Sequence, residues 1–144
     1  MSTVQLTGFK ELSRKLEVLG RKRGKIVVRK AVNKAATPMV KAARRLAPVG
    51  PTGNLKKGIM KALRSYRAGA LIMAYIGNQR GKGGAQHAHL VEFGTTERYH
   101  ASGKSVGIMP AEPFMRPAFD STKGQQMAIL EREIAAGLVK EASR

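Results

Sequence analysis

From Val18 to Val91 the chain contains no acidic residue, yet 17 lysines and arginines fall within that span. No element built there can pair its charges locally. Every cation must face solvent, meet an acid from the rest of the chain, or meet another molecule. From Glu92 to Arg144 the balance changes to seven acids against seven bases, and the whole chain carries a formal charge of +18. An acidic counter-surface, either nucleic acid or an acidic protein, fits such an asymmetry. A cationic face that is simply solvated is the alternative.

The 144 residues suit one domain with extended arms. At this length roughly 70% of the unfolded surface is buried on folding, so a core forms. Aromatics are only 5% of the chain, so that core rests on Ala, Val, Leu, Ile and Met. With no cysteine there is no disulfide, thiolate chemistry or Cys-based zinc site. No signal-peptide apolar region opens the sequence. The longest apolar run, ALIMAYIG at 70–77, is far shorter than the roughly 20 residues a membrane helix needs. The expectation is a soluble protein without membrane contact.

Apolar spacing predicts an N-terminal helix over Phe9, Leu12, Leu16 and Leu19, followed by a hinge within 1–24 where Gly20 and Gly24 bracket RKR. A basic helix follows over 25–47, with Val28, Ala31, Val32, Ala35, Met39, Ala42, Ala43 and Leu46 as its apolar stripe. Pro38 either kinks it or opens a second helix capped by Thr37. A β-hairpin is expected over 54–77, turning at Arg67-Ala68-Gly69, with Ile59, Leu63 and Met60 facing inward. Flexible loops are expected at 78–86 and 96–108. The last helix spans 117–142, with Met127, Leu130, Ile134 and Leu138 inward and Glu131, Glu133, Lys140 and Glu141 solvated. The class is α+β: long N-terminal helices and a C-terminal helix on a small, mainly antiparallel sheet.

Signals for chemistry are weak. GKGG at 81–84 lacks the GKS/T ending of a phosphate loop. His87 and His89 would share a face on a strand with Glu92 near, but ordinary polar or interface histidines are the expected reading. Glu92, Glu97, Glu112 and Asp120 lie close in sequence without forming a nuclease pattern. No helix-turn-helix, zinc finger or aromatic stacking platform is present, so DNA contact would be electrostatic and blind to sequence. No enzyme, cofactor or metal is expected.

Three stretches point one way: AARRLAPVGPTGNLKKGI at 42–59, HAHLVEFGTTE at 87–97 and MPAEPFMRPAFD at 109–120. In order and spacing they resemble the minor tail-component, or tail-completion, proteins of long-tailed bacteriophages, over about residues 9–142. The resemblance implies a non-enzymatic virion protein of the neck, assembled in the host cytoplasm. It also implies a homo-oligomeric ring, of six copies, joining the head connector to the tail terminator or tail tube around the DNA channel. A sequence-independent DNA-binding protein of packaging or compaction is the rival.

Arg21, Lys22, Arg23, Lys25, Arg29, Lys30, Lys34, Arg80 and Lys82 are the candidates to face double-stranded DNA or a partner. Glu92, Phe93, Gly94, Pro113, Phe114, Arg116 and Pro117 are the family-motif and inter-subunit candidates. Glu92 either pairs locally with Arg116 or reaches a neighbouring subunit. Phe93, Phe114 and Phe119 are expected to anchor the core. Pro110 and Pro113 stiffen an extended strap, and Pro117 suits the first turn of the last helix.

Overall fold

The computed structural model describes Arg14, residues 21–79, Gly81 and residues 84–143. The expected helix at 9–19 and the Arg80 and Lys82 side chains lie outside the described residues, as do the side chains of Arg21 and Lys22.

Helix α1 runs over Arg21–Ala35, and α2 over Thr37–Leu46. The helix passes straight through Gly24, which is buried, so no hinge sits there. Between α1 and α2, Ala36 keeps helical dihedrals (φ −74°, ψ −15°) and donates to the Val32 carbonyl at 3.0 Å. The junction is therefore a proline kink without a fresh capped start. Pro38 has no N–H to return to the preceding turn, and its ring displaces a carbonyl there. Lys61 from the sheet fills the gap, with Nζ 2.6 Å from the Asn33 carbonyl and 2.7 Å from the Thr37 hydroxyl, which itself donates to Asn33.

Val27, Ala31 and Ala35 are buried in α1, and Ala36, Val40, Ala43 and Ala47 beyond it. Of the expected stripe, Ala31, Ala35, Ala42 and Ala43 are buried and Val28, Val32 and Met39 are partly covered, while Leu46 is exposed.

A short helical turn, α3 (Asn54–Gly58), precedes the hairpin where a strand was expected. Strands β1 (Ile59–Tyr66) and β2 (Leu71–Asn78) pair antiparallel, with Lys61 opposite Ile76 and Leu63 opposite Ala74. They turn through Arg67–Gly69, where Arg67 (φ 50°) and Gly69 (φ 93°) take left-handed backbone. Side chains alternate across a strand. Ile59, Lys61, Leu63, Ile72, Ala74 and Ile76 are buried or half-buried. Met60, Arg64, Tyr66, Leu71, Met73 and Tyr75 lie open on the other face, which corrects the inward placement of Met60.

The hairpin leads into α4 (Ala88–Phe93), so His87 and His89 lie on a helix turn, where i, i+2 residues point apart. The segment 96–108 is a small β-ribbon, with β3 (Arg98–Tyr99) antiparallel to β4 (Ser105–Gly107). Helix α5 spans Met115–Ala142, two residues longer at its start than expected. It packs along both α1 and α2. At Gly137 a Cβ would stand 2.5 Å from Val27 Cγ1, so glycine is what permits the close approach of α1.

The core joins α2, α3, α4, the first residue of β1 and the start of α5. Phe114 and Ile59 are its largest fully buried side chains. Burying Phe114 alone contributes about 2–3 kcal/mol. Among the described residues no helix is long and apolar enough to cross a membrane.

Candidate functional site

A helix begins with four backbone N–H groups that have no intrahelical partner. In α5 these belong to Phe114, Met115, Arg116 and residue 117. The N-cap position is Phe114, which has no capping side chain to offer. Glu92, from α4, takes that role. Its Oε2 accepts from the Phe114 N–H at 2.8 Å and the Met115 N–H at 2.9 Å, and its Oε1 accepts from the Arg116 N–H at 3.1 Å. Residue 117 is proline and has no N–H. All four positions are thus resolved, and the first intrahelical bond follows from Ala118 N–H to the Phe114 carbonyl at 3.2 Å.

Burial (9% exposed) pushes the Glu92 carboxyl up, but the three N–H bonds outweigh that effect. With the Arg116 charge they hold it below the usual carboxylate range. Arg116 meets Glu92 through its backbone N–H, with its guanidinium acting at longer range. The carboxylate is therefore engaged within the subunit.

Gly94 makes this reach geometrically feasible. It ends α4 at φ +72°, and a Cβ there would lie 2.9 Å from both the Met109 carbonyl and the Ala111 nitrogen. The strap at 108–114 is laced to α4 on this side. Glu112 N–H donates to Val91 O at 2.8 Å, Thr95 N–H donates to Met109 O at 2.9 Å, and Met109 N–H donates to the Thr95 hydroxyl at 3.1 Å. Pro113 and Pro117 are exposed, Phe114 is 2% exposed, and Ala118 is fully buried below them.

Phe93 contradicts the expectation. It is 80% exposed, because Glu92 occupies the inward position of this short helix. Phe119 is also exposed, one residue past buried Ala118. A cleft of about 480 Å³ opens between β2, α4 and the start of α5, bordered by Gly77, His89, Phe93 and Arg116.

Among the described residues, several of the basic candidates have partners of their own. Arg23 lies 3.9 Å from Glu141, and Lys34 Nζ lies 2.6 Å from Glu133 Oε2, so two acids expected to be solvated instead tie α5 to α1. The Lys34 hydrogen bond holds the Glu133 carboxyl below its usual range. Arg29 reaches the Ser65 hydroxyl at 3.4 Å, Lys25 lies against Gly69, and Lys30 is exposed. Sequence reasoning missed Arg44, whose Nε and Nη2 donate to the Ile59 carbonyl at 3.0 and 2.7 Å and clamp the start of β1. The signal available was its place beside buried Ala43.

The acids considered for catalysis separate: Glu92 caps α5, and Glu97 accepts from the Ser105 hydroxyl at 2.8 Å. Among the described residues no three His, Cys, Asp or Glu side chains gather where a metal could sit. What the arrangement presents instead is surface: an open apolar sheet face, a protruding phenylalanine and unevenly placed cations.

Comparison with known proteins bears on what such a surface serves. Residues 10–94 match the family described as "Bacteriophage HK97-gp10, putative tail-component". Searches of curated proteins and of solved structures gave no match. The matched span includes the stretch at 42–59 and ends at Gly94, so Glu92 lies inside it and the strap and α5 lie outside. It takes in more than half of the chain, which therefore belongs to the HK97-gp10-like family of phage tail components and is a structural protein of a tailed phage.

Proposed function

We propose that this protein is a tail-completion subunit of the phage neck, without catalytic role, forming a closed ring between the head connector and the tail tube around the DNA channel. The observation that carries this reading is the open face of the hairpin. Met60, Tyr66, Leu71, Met73 and Tyr75 are each 38–45% exposed on one side of a two-stranded sheet, with Arg64 among them over the Tyr75 ring. A lone hairpin is marginal, and contiguous apolar patches on soluble subunits mark contact surfaces. A ring closes through two different patches per subunit. Phe93, beside the separate cleft at β2 and α4, supports a second one.

Native mass spectrometry at modest salt tests the proposal. The wild type should assemble into a ring, of six copies, and Leu71→Glu/Met73→Glu should remain monomeric while folded. A wild type that stays monomeric at high concentration, both alone and with connector and tail-tube proteins, would overturn it.

The second reading, a free DNA-coating protein of packaging or compaction, is favoured by the +18 charge alone. It requires stable coating of DNA by monomers.

A further inference from the structure

We infer that the cleft between α2 and α5 is a groove for the phosphate backbone of duplex DNA, contacted by Lys41, Arg45 and Arg132. The cleft measures about 580 Å³ and opens to solvent. Its apolar lining is small and alkyl, from Pro38, Ala42 and Ile129, while cations stand on both sides. Lys41 and Arg45, four residues apart on α2, face Arg132 of α5 across it.

The charge within the cleft is unbalanced. Four cations line it (Lys34, Lys41, Arg45 and Arg132) against one acid, Glu133. That acid is already engaged by Lys34 at 2.6 Å and by Arg132 at 3.5 Å. Lys41 and Arg45 have no hydrogen-bond or ion-pair partner among the described residues. Two like charges on one helix face oppose each other, and no acid in the cleft is left to relieve them.

The lining also indicates the class of ligand. Protein interfaces anchor on aromatic and large apolar side chains seated in pockets, and this cleft has no aromatic among its lining residues. Phosphodiesters need only cations and donors, and an arginine fork with a lysine point charge supplies both. Thr37 and Thr122 are held by bonds of their own, to Asn33 and Ala118, so they fix the walls and leave contact to the cations. The size suits a short run of backbone lying along the groove, with no reading of bases.

The biological setting of this groove rests on the neck reading, but the binding itself can be measured on the free protein. The probe is a 30-base-pair duplex of arbitrary sequence, titrated by fluorescence anisotropy from low to moderate salt with the full chain. Each phosphate neutralised adds about −0.9 to the log–log salt slope. Lys41→Gln/Arg45→Gln/Arg132→Gln should therefore flatten the slope by about 2.7. Its unfolding temperature should match the wild type.

An equal neutralisation elsewhere, at the exposed Lys56, Lys57 and Lys104, should flatten it by less than half as much. Equal losses in the two variants would mean diffuse charge and overturn the groove, as would a cleft variant that binds like wild type. If a poly-glutamate peptide binds at least as tightly as the duplex, and only the cleft variant loses it, the groove belongs to an acidic protein and the DNA assignment fails. Native mass spectrometry of the same samples separates the two proposals. A slope difference without any ring supports the groove and counts against the neck reading.

Discussion

Replacing Glu92 by alanine should remove the cap of a 28-residue helix at a single stroke. The change deletes three charge-assisted bonds, of 2.8, 2.9 and 3.1 Å, and leaves three N–H groups without an acceptor in a largely buried place. A side-chain cap is ordinarily worth about 1 kcal/mol. Hydrogen bonds to charged groups contribute about 1.5–3 kcal/mol each, and orphaned donors add a penalty of their own. These effects overlap, and the freed N–H groups will recruit some water. The expected loss is about 3–4 kcal/mol, a large share of the 5–15 kcal/mol typical of a domain. In thermal unfolding this is a fall of about 10 °C.

Glu92→Gln keeps one acceptor oxygen, which serves Phe114 and Met115, but it turns an amide donor toward the Arg116 N–H. Its loss should be near 1–2 kcal/mol. The pair also predicts a pH signature. The folded carboxyl titrates below the ordinary glutamate value of 4.5, so its stabilisation is complete above that value. The contribution drains as pH falls through the lower, folded pKa. Stability measured by chemical denaturation should therefore decline on acidification more steeply in the wild type than in Glu92→Gln. An alanine variant melting within about 1 °C of wild type, or identical acid limbs for wild type and Gln, would refute the capping argument.

Three further outcomes follow from the packing. Gly137→Ala should destabilise by about 1–3 kcal/mol, because the new methyl meets Val27, and adding Val27→Ala should recover part of the loss in a double-mutant cycle. Lys61→Met should cost about 1–2 kcal/mol in denaturant unfolding, since the Asn33 carbonyl and Thr37 hydroxyl at the Pro38 kink lose their donor; burial lowers the ammonium's pKa, and relief of that burial partly offsets the loss. Phe93→Ser should leave the melting temperature unchanged within about 1 °C, as expected of a surface substitution, while weakening assembly in native mass spectra.

The hairpin and the last helix were legible because their signals are local. Alternating side chains and a glycine turn specify β1 and β2, and the spacing of Leu130, Ile134 and Leu138 matches the covered side of α5. The kink at Pro38 was legible only as two alternatives, since the donor that completes it comes from Lys61 in another element. The alanines of the stripe on α1 and α2 are buried as expected, and Leu46, placed inward by its residue type, is exposed. Phe93 was misread through its residue type. An inward Glu92 on a six-residue helix leaves its neighbour outside. A clue to Glu92 did exist in the absence of Ser, Thr, Asp or Asn at residue 114, where α5 needs a cap. An uncapped start implies a remote acceptor, although which of the four nearby acids provides it depends on tertiary placement.

The Glu92 cap also sets a direction in time. On the ribosome, Glu92 emerges before any of the three amides that bind it, the last of them 24 residues later. Until then its carboxylate can remain hydrated, but it cannot move into the interior without stranding a charge. The docking of α4 and the start of α5 are therefore a single event. A chain cut after Gly94, where the family match stops, would retain the acid and lose every group that neutralises its burial. The C-terminal helix is in this sense a late lock on the segment that carries the family's signature.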